Sequence, residues 1–192
     1  MTSVAAIAPP PRTPWFLQPA LWLARRVTGK DPLPGRLLAH FPKGAVAAGL
    51  FELGAPHGPG DLERRVLAVV RIVASAVGGC PFCIDMNAAS WRQAGLEPAE
   101  LEALLTLDRV RWRELPRREL VAARYAEALS ATPVLVEADL ASSVAAVFTE
   151  RERVVLAFTI AQVNFWTRFN QGVGVPAAGF FDESVCRLPA RT

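Results

Sequence analysis

The chain has 192 residues, of which 52% are hydrophobic and 20% are charged, with a net charge of +3. This composition excludes a disordered chain and is typical of a globular protein with one sizeable core. No block of like charges suggests nucleic-acid binding, and no uninterrupted apolar run approaches the ~18 to 20 residues of a membrane span. We therefore expect neither a nucleic acid nor a membrane as partner.

The three cysteines are Cys80, Cys83 and Cys186. An odd count with two members clustered does not fit a disulfide framework, and it favours a reducing compartment with one functional dithiol. The prolines at 9–11 interrupt the region where an export signal would be apolar. The expected location is the cytoplasm.

The hydrophobic pattern predicts helices and no competing strands, so the expected fold class is all-α. Residues 1–13 are expected to form an extended or disordered tail, 14–176 a single helical domain, and 177–192 a second tail. The predicted helices cover 14–28, 36–53 (one helix or two), 62–77 after a capping Asp61, 81–94, 96–107, 116–130, 137–147 and 150–171.

Residues 63–68 match residues 152–157 at five of six positions, and both segments open long apolar helices. The match predicts a possible internal two-fold repeat. In the second copy, Phe169 and Gly172 stand where the first copy has its cysteines.

Two glycines precede a Cys-x-x-Cys at Cys80 and Cys83, with Pro81 between them. Glycine ends one helix and proline favours the first turn of the next, so both sulfurs are predicted to lie at a helix N-terminus. Unpaired N–H groups and the helix dipole stabilise a thiolate there. Attack on a peroxide would give a sulfenic acid, and attack on a disulfide would give exchange. The alternatives are two buried structural cysteines or half of a metal site.

Three residues near this motif could support the chemistry. His57 lies in a loop before the preceding helix and could reach the thiols. Asn87 follows Cys83 by one helical turn, although an amide is not a base. Asp85 points away from Cys83 in a helical projection, so it could equally serve as a first-turn carboxylate.

Asn164 and Arg168 lie four residues apart on the last long helix, which is otherwise apolar. A cation on an apolar helix needs partners. The pair could line a substrate pocket or the dithiol face, or it could belong to a buried network or a subunit contact.

The segments 79–87 and 162–170 resemble the carboxymuconolactone decarboxylase-like and alkylhydroperoxidase D-like superfamily, and the likeness extends over about 36–176. The resemblance implies an all-helical fold that assembles as a homo-oligomer, from dimer to hexamer. It also implies a thiol-dependent peroxidase or disulfide reductase with a peroxide or disulfide substrate and a thiol reductant protein. No cofactor or metal is implied.

In the alkylhydroperoxidase D branch, the resemblance implies a relay of two histidines and a glutamate around the cysteines. Asn87, Phe82 and Ala68 stand at those three positions here. Only Cys80 and Cys83 carry over, and Glu63 is the nearest upstream carboxylate that could replace the missing one.

Three other hypotheses remain open. The first is a ring-opening or decarboxylating enzyme for a small acidic metabolite, with Arg168 binding the carboxylate. The second is a non-catalytic oligomer whose dithiol senses redox state. The third is a zinc site, which would need both His57 and Cys186 in addition to the cysteine pair.

Overall fold

A computed structural model describes residues 7–56 and 60–182 of the chain. Within these ranges the chain forms nine α-helices and two short 3₁₀ helices, and it contains no β-strand. The predicted all-α fold class is confirmed. The α-helices are α1 (Gln18–Thr28), α2 (Leu33–Leu38), α3 (Pro42–Leu53), α4 (Arg64–Gly78), α5 (Pro81–Ala88), α6 (Pro98–Leu105), α7 (Arg117–Ser130), α8 (Ala138–Val147) and α9 (Glu150–Gly172), and the 3₁₀ helices are Trp15–Leu17 and Arg111–Glu114.

Helix α4 is the centre of the fold. Ten of its fifteen residues are buried, because apolar side chains occupy nearly all of its faces. It packs against α7 and α9 along its length and against α5 and α6 at its sides. Its last turn leads directly into the cysteine motif, so the core holds that motif in place.

The start of α4 differs from the expected cap. Glu63, rather than Asp61, is the residue before the helix, and the Asp61 carboxylate pairs with Arg151 at 3.0 Å. The Arg118 guanidinium donates to Glu63 at 2.9 Å and to Glu152 at 2.8 Å. The two matching sequence segments therefore open helices that pack together and share one arginine, while the internal repeat itself stays a prediction.

The two glycines after α4 have different roles. Gly79 ends the helix with φ 72°, in the left-handed region that glycine adopts without strain. Gly78 is still helical, and a Cβ atom there would collide with Thr167 Cγ2 on α9. Gly78 therefore allows α4 and α9 to approach closely beside the cysteines.

Helix α5 ends at Ala88, whereas the sequence predicted a helix to residue 94. The Trp91 amide donates to the Ala88 carbonyl at 3.1 Å, and the turn that follows buries the Trp91 side chain in the core. Burial of this large side chain overrides the local helix pattern.

Smaller differences occur at both ends of the described chain. The predicted helix over 14–28 is divided into a 3₁₀ turn and α1, and α1 has no buried residue. Residues 177–182 contain no helix but pack against α5. None of the helices in the described ranges has both the length and the hydropathy that a membrane crossing requires.

Candidate functional site

The two cysteines lie at the start of α5, as the Gly-Gly-Cys-Pro pattern predicts. Cys80 is the N-cap residue and Cys83 is in the first turn, with their Cα atoms 5.2 Å apart and their sulfurs joined in a disulfide. The Cys83 amide donates to the Cys80 Sγ atom at 3.1 Å. Cys80 is 0% exposed and Cys83 1% exposed. Helix α5 thus presents its N-terminal donors to a buried dithiol.

A side chain from α9 also contacts the dithiol. Asn170 Nδ2 donates to Cys83 Sγ at 3.4 Å. Asn170 is 1% exposed, and its Oδ1 atom finds no donor in the described part of the chain. An amide donor aimed at sulfur favours the thiolate over the thiol.

Cys83 also forms part of the wall of a cavity of about 140 Å³ between α3, α4, α5 and α9. A cavity of about 150 Å³ is large enough to hold a benzene molecule, so this one suits a small molecule. Met86, which is 39% exposed, lies at its outer edge. The cavity is lined by Glu52, Arg71, Cys83, Met86, Asn87, Gln162, Val163 and Trp166.

Glu52 is the carboxylate of this cavity. It lies on α3, and its Oε1 atom accepts hydrogen bonds from Gln162 Nε2 at 2.7 Å and from the Trp166 indole N–H. Its Oε2 atom accepts none from the described residues. One carboxylate oxygen is therefore fixed by α9, and the other has no hydrogen bond to a described residue.

Arg71 is the cation of the cavity. Its Nη2 atom donates to the Pro56 carbonyl oxygen. Burial lowers the pKa of Arg71 below its usual value, and the negative charge of Glu52 opposes this effect. A guanidinium remains charged even when its pKa is lowered, so the cavity contains one positive and one negative group.

Asn87 lines the cavity as a positioning residue. Its Nδ2 atom donates to Ser75 Oγ at 2.8 Å and to the Cys83 carbonyl at 2.9 Å. Ser75 in turn donates to the Arg71 carbonyl at 2.7 Å. The contact with Ser75 attaches the last turn of α5 to α4.

Asp85 faces away from the cavity, as its helical position suggested. Its Oδ2 atom accepts from the Ala178 amide at 2.8 Å and its Oδ1 atom from the Phe181 amide at 2.7 Å. Asp85 thus fixes the segment after α9 against the dithiol.

The structure does not bring Glu63 to the cysteines. Glu63 and Cys80 flank opposite ends of α4, whose fifteen residues span about 22 Å. Its carboxylate pairs with Arg118 instead. His57 and Cys186 lie outside the described residues, and the zinc hypothesis depends on both.

Asn164 and Arg168 lie on the side of α9 that faces the end of α7. Asn164 Nδ2 donates to the Leu129 carbonyl at 3.3 Å and to Ser130 Oγ at 3.2 Å. The exposed Arg168 donates to Thr132 Oγ1 at 2.7 Å. Neither Asn164 nor Arg168 is among the residues that line the cavity. The guanidinium group in the cavity wall belongs to Arg71.

Sequence reasoning missed Glu52, Arg71 and Asn170 as site residues. Arg71 was visible as one charge within an apolar helix, and such a charge needs a partner. Glu52 and Asn170 gave no comparable signal, because each reaches the site from a helix distant in sequence.

Comparison with known proteins identifies the family of this chain. A model of the carboxymuconolactone decarboxylase family matches residues 44–126, which include α4 and both cysteines of the dithiol. The chain is 30% identical over 190 residues to YnjA of Escherichia coli K12, a protein described as uncharacterised, covering 96% of this chain and 98% of YnjA. The chain belongs to the carboxymuconolactone decarboxylase family. The predicted resemblance is confirmed.

Solved structures share the fold of this family member. A peroxidase-related protein of Ralstonia eutropha JMP134 with an alkylhydroperoxidase AhpD core has a TM-score of 0.74 at 19% identity, covering 92% of this chain and 94% of its own. The debrominase Bmp8, solved with 2,3,4-tribromopyrrole, has a TM-score of 0.71 at 17% identity, and the match covers 90% of this chain and 91% of the Bmp8 chain. ATU0492 of Agrobacterium tumefaciens, described as a putative antioxidant defence protein, has a TM-score of 0.60 at 23% identity. The match covers 73% of this chain and 94% of the ATU0492 chain.

Proposed function

We propose that the protein is a thiol-dependent oxidoreductase that reduces a small peroxide or disulfide with the Cys80–Cys83 dithiol. One observation carries the proposal: Cys83 lines a cavity of small-molecule size, whereas Cys80 is buried and is not among the residues that line it. The two sulfurs therefore have different access to a substrate. Cys83 is the attacking residue and Cys80 the resolving one.

The oxidative half of the cycle consumes one peroxide. The Cys83 thiolate attacks the nearer peroxide oxygen and the O–O bond breaks. Cys83 becomes a sulfenic acid and the other oxygen leaves as an alcohol after gaining a proton. The Cys80 thiol then attacks the sulfenic sulfur, forming the disulfide and releasing water.

The reductive half restores the dithiol. A thiolate of the reductant attacks the Cys83 sulfur, and Cys80 leaves as a thiolate that the Cys83 amide stabilises at the helix N-terminus. A second reductant thiol then releases Cys83 from the mixed disulfide. A dithiol protein or a small dithiol supplies these two electrons.

The local charges support attack by Cys83. A thiolate in the first turn of α5 is favoured by the helix dipole, by the Asn170 donor and by the nearby Arg71 guanidinium. The carboxylate of Glu52 acts in the opposite direction. The helix dipole, one amide donor and one cation stabilise the thiolate form of Cys83, and one carboxylate opposes them.

The test is consumption of hydrogen peroxide or cumene hydroperoxide with dithiothreitol as reductant. The wild type is expected to turn over, while Cys83→Ser and Cys80→Ser should each fall to the uncatalysed rate. Arg168→Gln is a control on the same chain and should keep the wild-type rate, because Arg168 lies outside the cavity. A wild-type rate equal to that of Cys83→Ser contradicts the proposal. Oxidation that alters oligomer size without turnover would favour a redox sensor instead.

A second candidate function is reductive removal of halogen from a small aromatic ring. The apolar part of the cavity wall favours it, because Trp166, Met86 and Val163 suit an aromatic ligand. In such a reaction a carbon–bromine bond becomes a carbon–hydrogen bond, the dithiol becomes the disulfide, and hydrogen bromide is released. Bromide release from 2,3,4-tribromopyrrole in the presence of dithiothreitol, absent in Cys83→Ser, would support this candidate.

A further inference from the structure

Thiol attack on a peroxide requires the transfer of one proton. The proton must leave the sulfur before attack and must reach the departing oxygen as the O–O bond breaks. The three relay positions that the resemblance implies hold Asn87, Phe82 and Ala68, and none of these side chains exchanges protons at neutral pH. A different group must therefore perform this step.

The cavity contains one such group. Among the described residues that line it, Glu52 alone has a carboxylate. The titratable groups that share the cavity with it are Arg71 from α4 and Cys83 from α5, while α9 contributes the Gln162 amide and the Trp166 indole. Arg71 is a poor proton acceptor because its guanidinium stays charged.

The hydrogen bonds of Glu52 suit proton exchange. Gln162 and Trp166 both donate to Oε1, which fixes the position of the carboxylate. Oε2 accepts nothing from the described residues, so it is available to a substrate or water in the cavity. Indole and amide donors cannot take the proton away from this oxygen, since neither is acidic.

We propose that Glu52 is the proton-transfer residue of this site, a role that rests on the proposed function. Its Oε2 atom takes the proton of the Cys83 thiol, directly or through one cavity water. After the thiolate attacks, the same proton passes from Glu52 to the departing oxygen, which leaves as water or an alcohol. Glu52 returns to its ionised form, and the sulfenic acid remains on Cys83.

The role predicts opposite effects on two reactions of Cys83. Peroxide needs a proton on its leaving oxygen, whereas iodoacetamide releases iodide and needs none. Glu52→Gln removes the carrier and should slow the peroxide reaction by about 100-fold or more, the usual contribution of a positioned acid or base. The same variant removes a negative charge beside the thiol, so the pKa of Cys83 falls. Alkylation of Cys83 at pH 7 should then be at least as fast as in the wild type.

The experiment measures both reactions on the reduced full-length protein. All variants carry Cys80→Ser, which prevents resolution to the disulfide; peroxide is mixed in single turnover and the sulfenic acid on Cys83 is trapped with dimedone, while alkylation of the Cys83 peptide is followed by mass spectrometry. Glu63→Gln is the matched control, since Glu63 pairs with Arg118 far from the cavity, and it should leave both rates unchanged. Should Glu52→Gln fail to fold, Glu52→Asp keeps a carboxylate and should retain part of the peroxide rate with an unchanged alkylation rate.

Three results would overturn the proposal. An unchanged peroxide rate in Glu52→Gln, while Cys83→Ser abolishes sulfenic acid formation, rejects Glu52 and leaves the proposed function standing. An equal loss in both reactions shows that Glu52 only maintains the cavity. Absence of sulfenic acid on Cys83 in Cys80→Ser rejects the proposed function, and the role of Glu52 falls with it.

Discussion

At the scale of single residues, Cys80 and Cys83 share a helix start but differ in their neighbours. Cys80 accepts a backbone N–H and packs among apolar side chains such as Leu37 and Val175. Cys83 contacts both the cavity and the Asn170 amide. Under the proposed function, this difference favours attack by Cys83 and resolution by Cys80.

Replacement of Asn170 by leucine should make Cys83 less reactive. The variant removes a donor that favours the charged sulfur, so the pKa of the Cys83 thiol rises. A rise of about one pKa unit, or ~1.4 kcal/mol, would slow alkylation of Cys83 at pH 7 by up to tenfold. The measurement is the pH dependence of iodoacetamide alkylation of the reduced protein. Asn164→Leu is the control, because Asn164 bonds to the end of α7, and equal profiles for the two variants would count against the assignment.

At the scale of the helices, the dithiol depends on how closely α4 and α9 approach. Gly78→Ala would place a Cβ atom against Thr167 Cγ2. Overpacking of this kind costs about 1 to 3 kcal/mol of unfolding free energy, measured by urea denaturation. Thr167→Ser removes that methyl group and should recover much of the loss in the double variant. A double variant as unstable as Gly78→Ala would show that the contact is not the cause.

The N-terminus of α9 should make stability depend on pH. The Thr149 amide, and after it the Arg118 guanidinium, lower the pKa of Glu152 below its usual value. A lowered carboxyl pKa adds stability that is complete above the usual Glu value of ~4.3 and is lost as the pH falls through the folded-state pKa. Glu152→Gln should therefore be less stable than the wild type at pH 7. The difference in unfolding free energy between the two proteins, measured by urea denaturation, should shrink below about pH 4. A difference that stays constant with pH would contradict the role of Glu152.

The helices themselves could be predicted because their apolar periodicity and their Gly and Pro boundaries are local signals. The position of the cysteines at the start of α5 was predicted for the same reason. The early end of α5 was not, since it depends on burial of Trp91 in a core formed by other helices. The site was missed because Glu52 shares a cavity with Cys83, and Asn170 contacts Cys83, only when α3 and α9 pack beside α5.

At the scale of the whole molecule, the segment after α9 covers the dithiol. Residues 173–182 pack over Cys80 and Phe82, and the Asp85 carboxylate holds two backbone amides of this segment. A reductant must therefore reach a buried disulfide. The homo-oligomer that the resemblance implies stays a prediction, as does the thiol reductant protein.

Loosening this segment should expose the disulfide. Asp85→Asn replaces one acceptor oxygen by an NH₂ group that faces a backbone N–H, and the unmatched pair weakens the contact. We expect faster reduction of Cys80–Cys83 by a bulky phosphine, followed by the appearance of free thiols. Asp139→Asn on α8 is the control, because its side chain is 69% exposed. Equal reduction rates in both variants would mean that residues 173–182 do not limit access.

The central claim is that Cys83 is the sulfur that attacks the substrate. The most direct measurement treats reduced Cys80→Ser with one equivalent of peroxide and dimedone, followed by peptide mass spectrometry. Without its resolving partner, the sulfenic acid should persist and the label should appear on the peptide that contains Cys83. A label confined to Cys186, or no label above that of Cys83→Ser, would contradict the account.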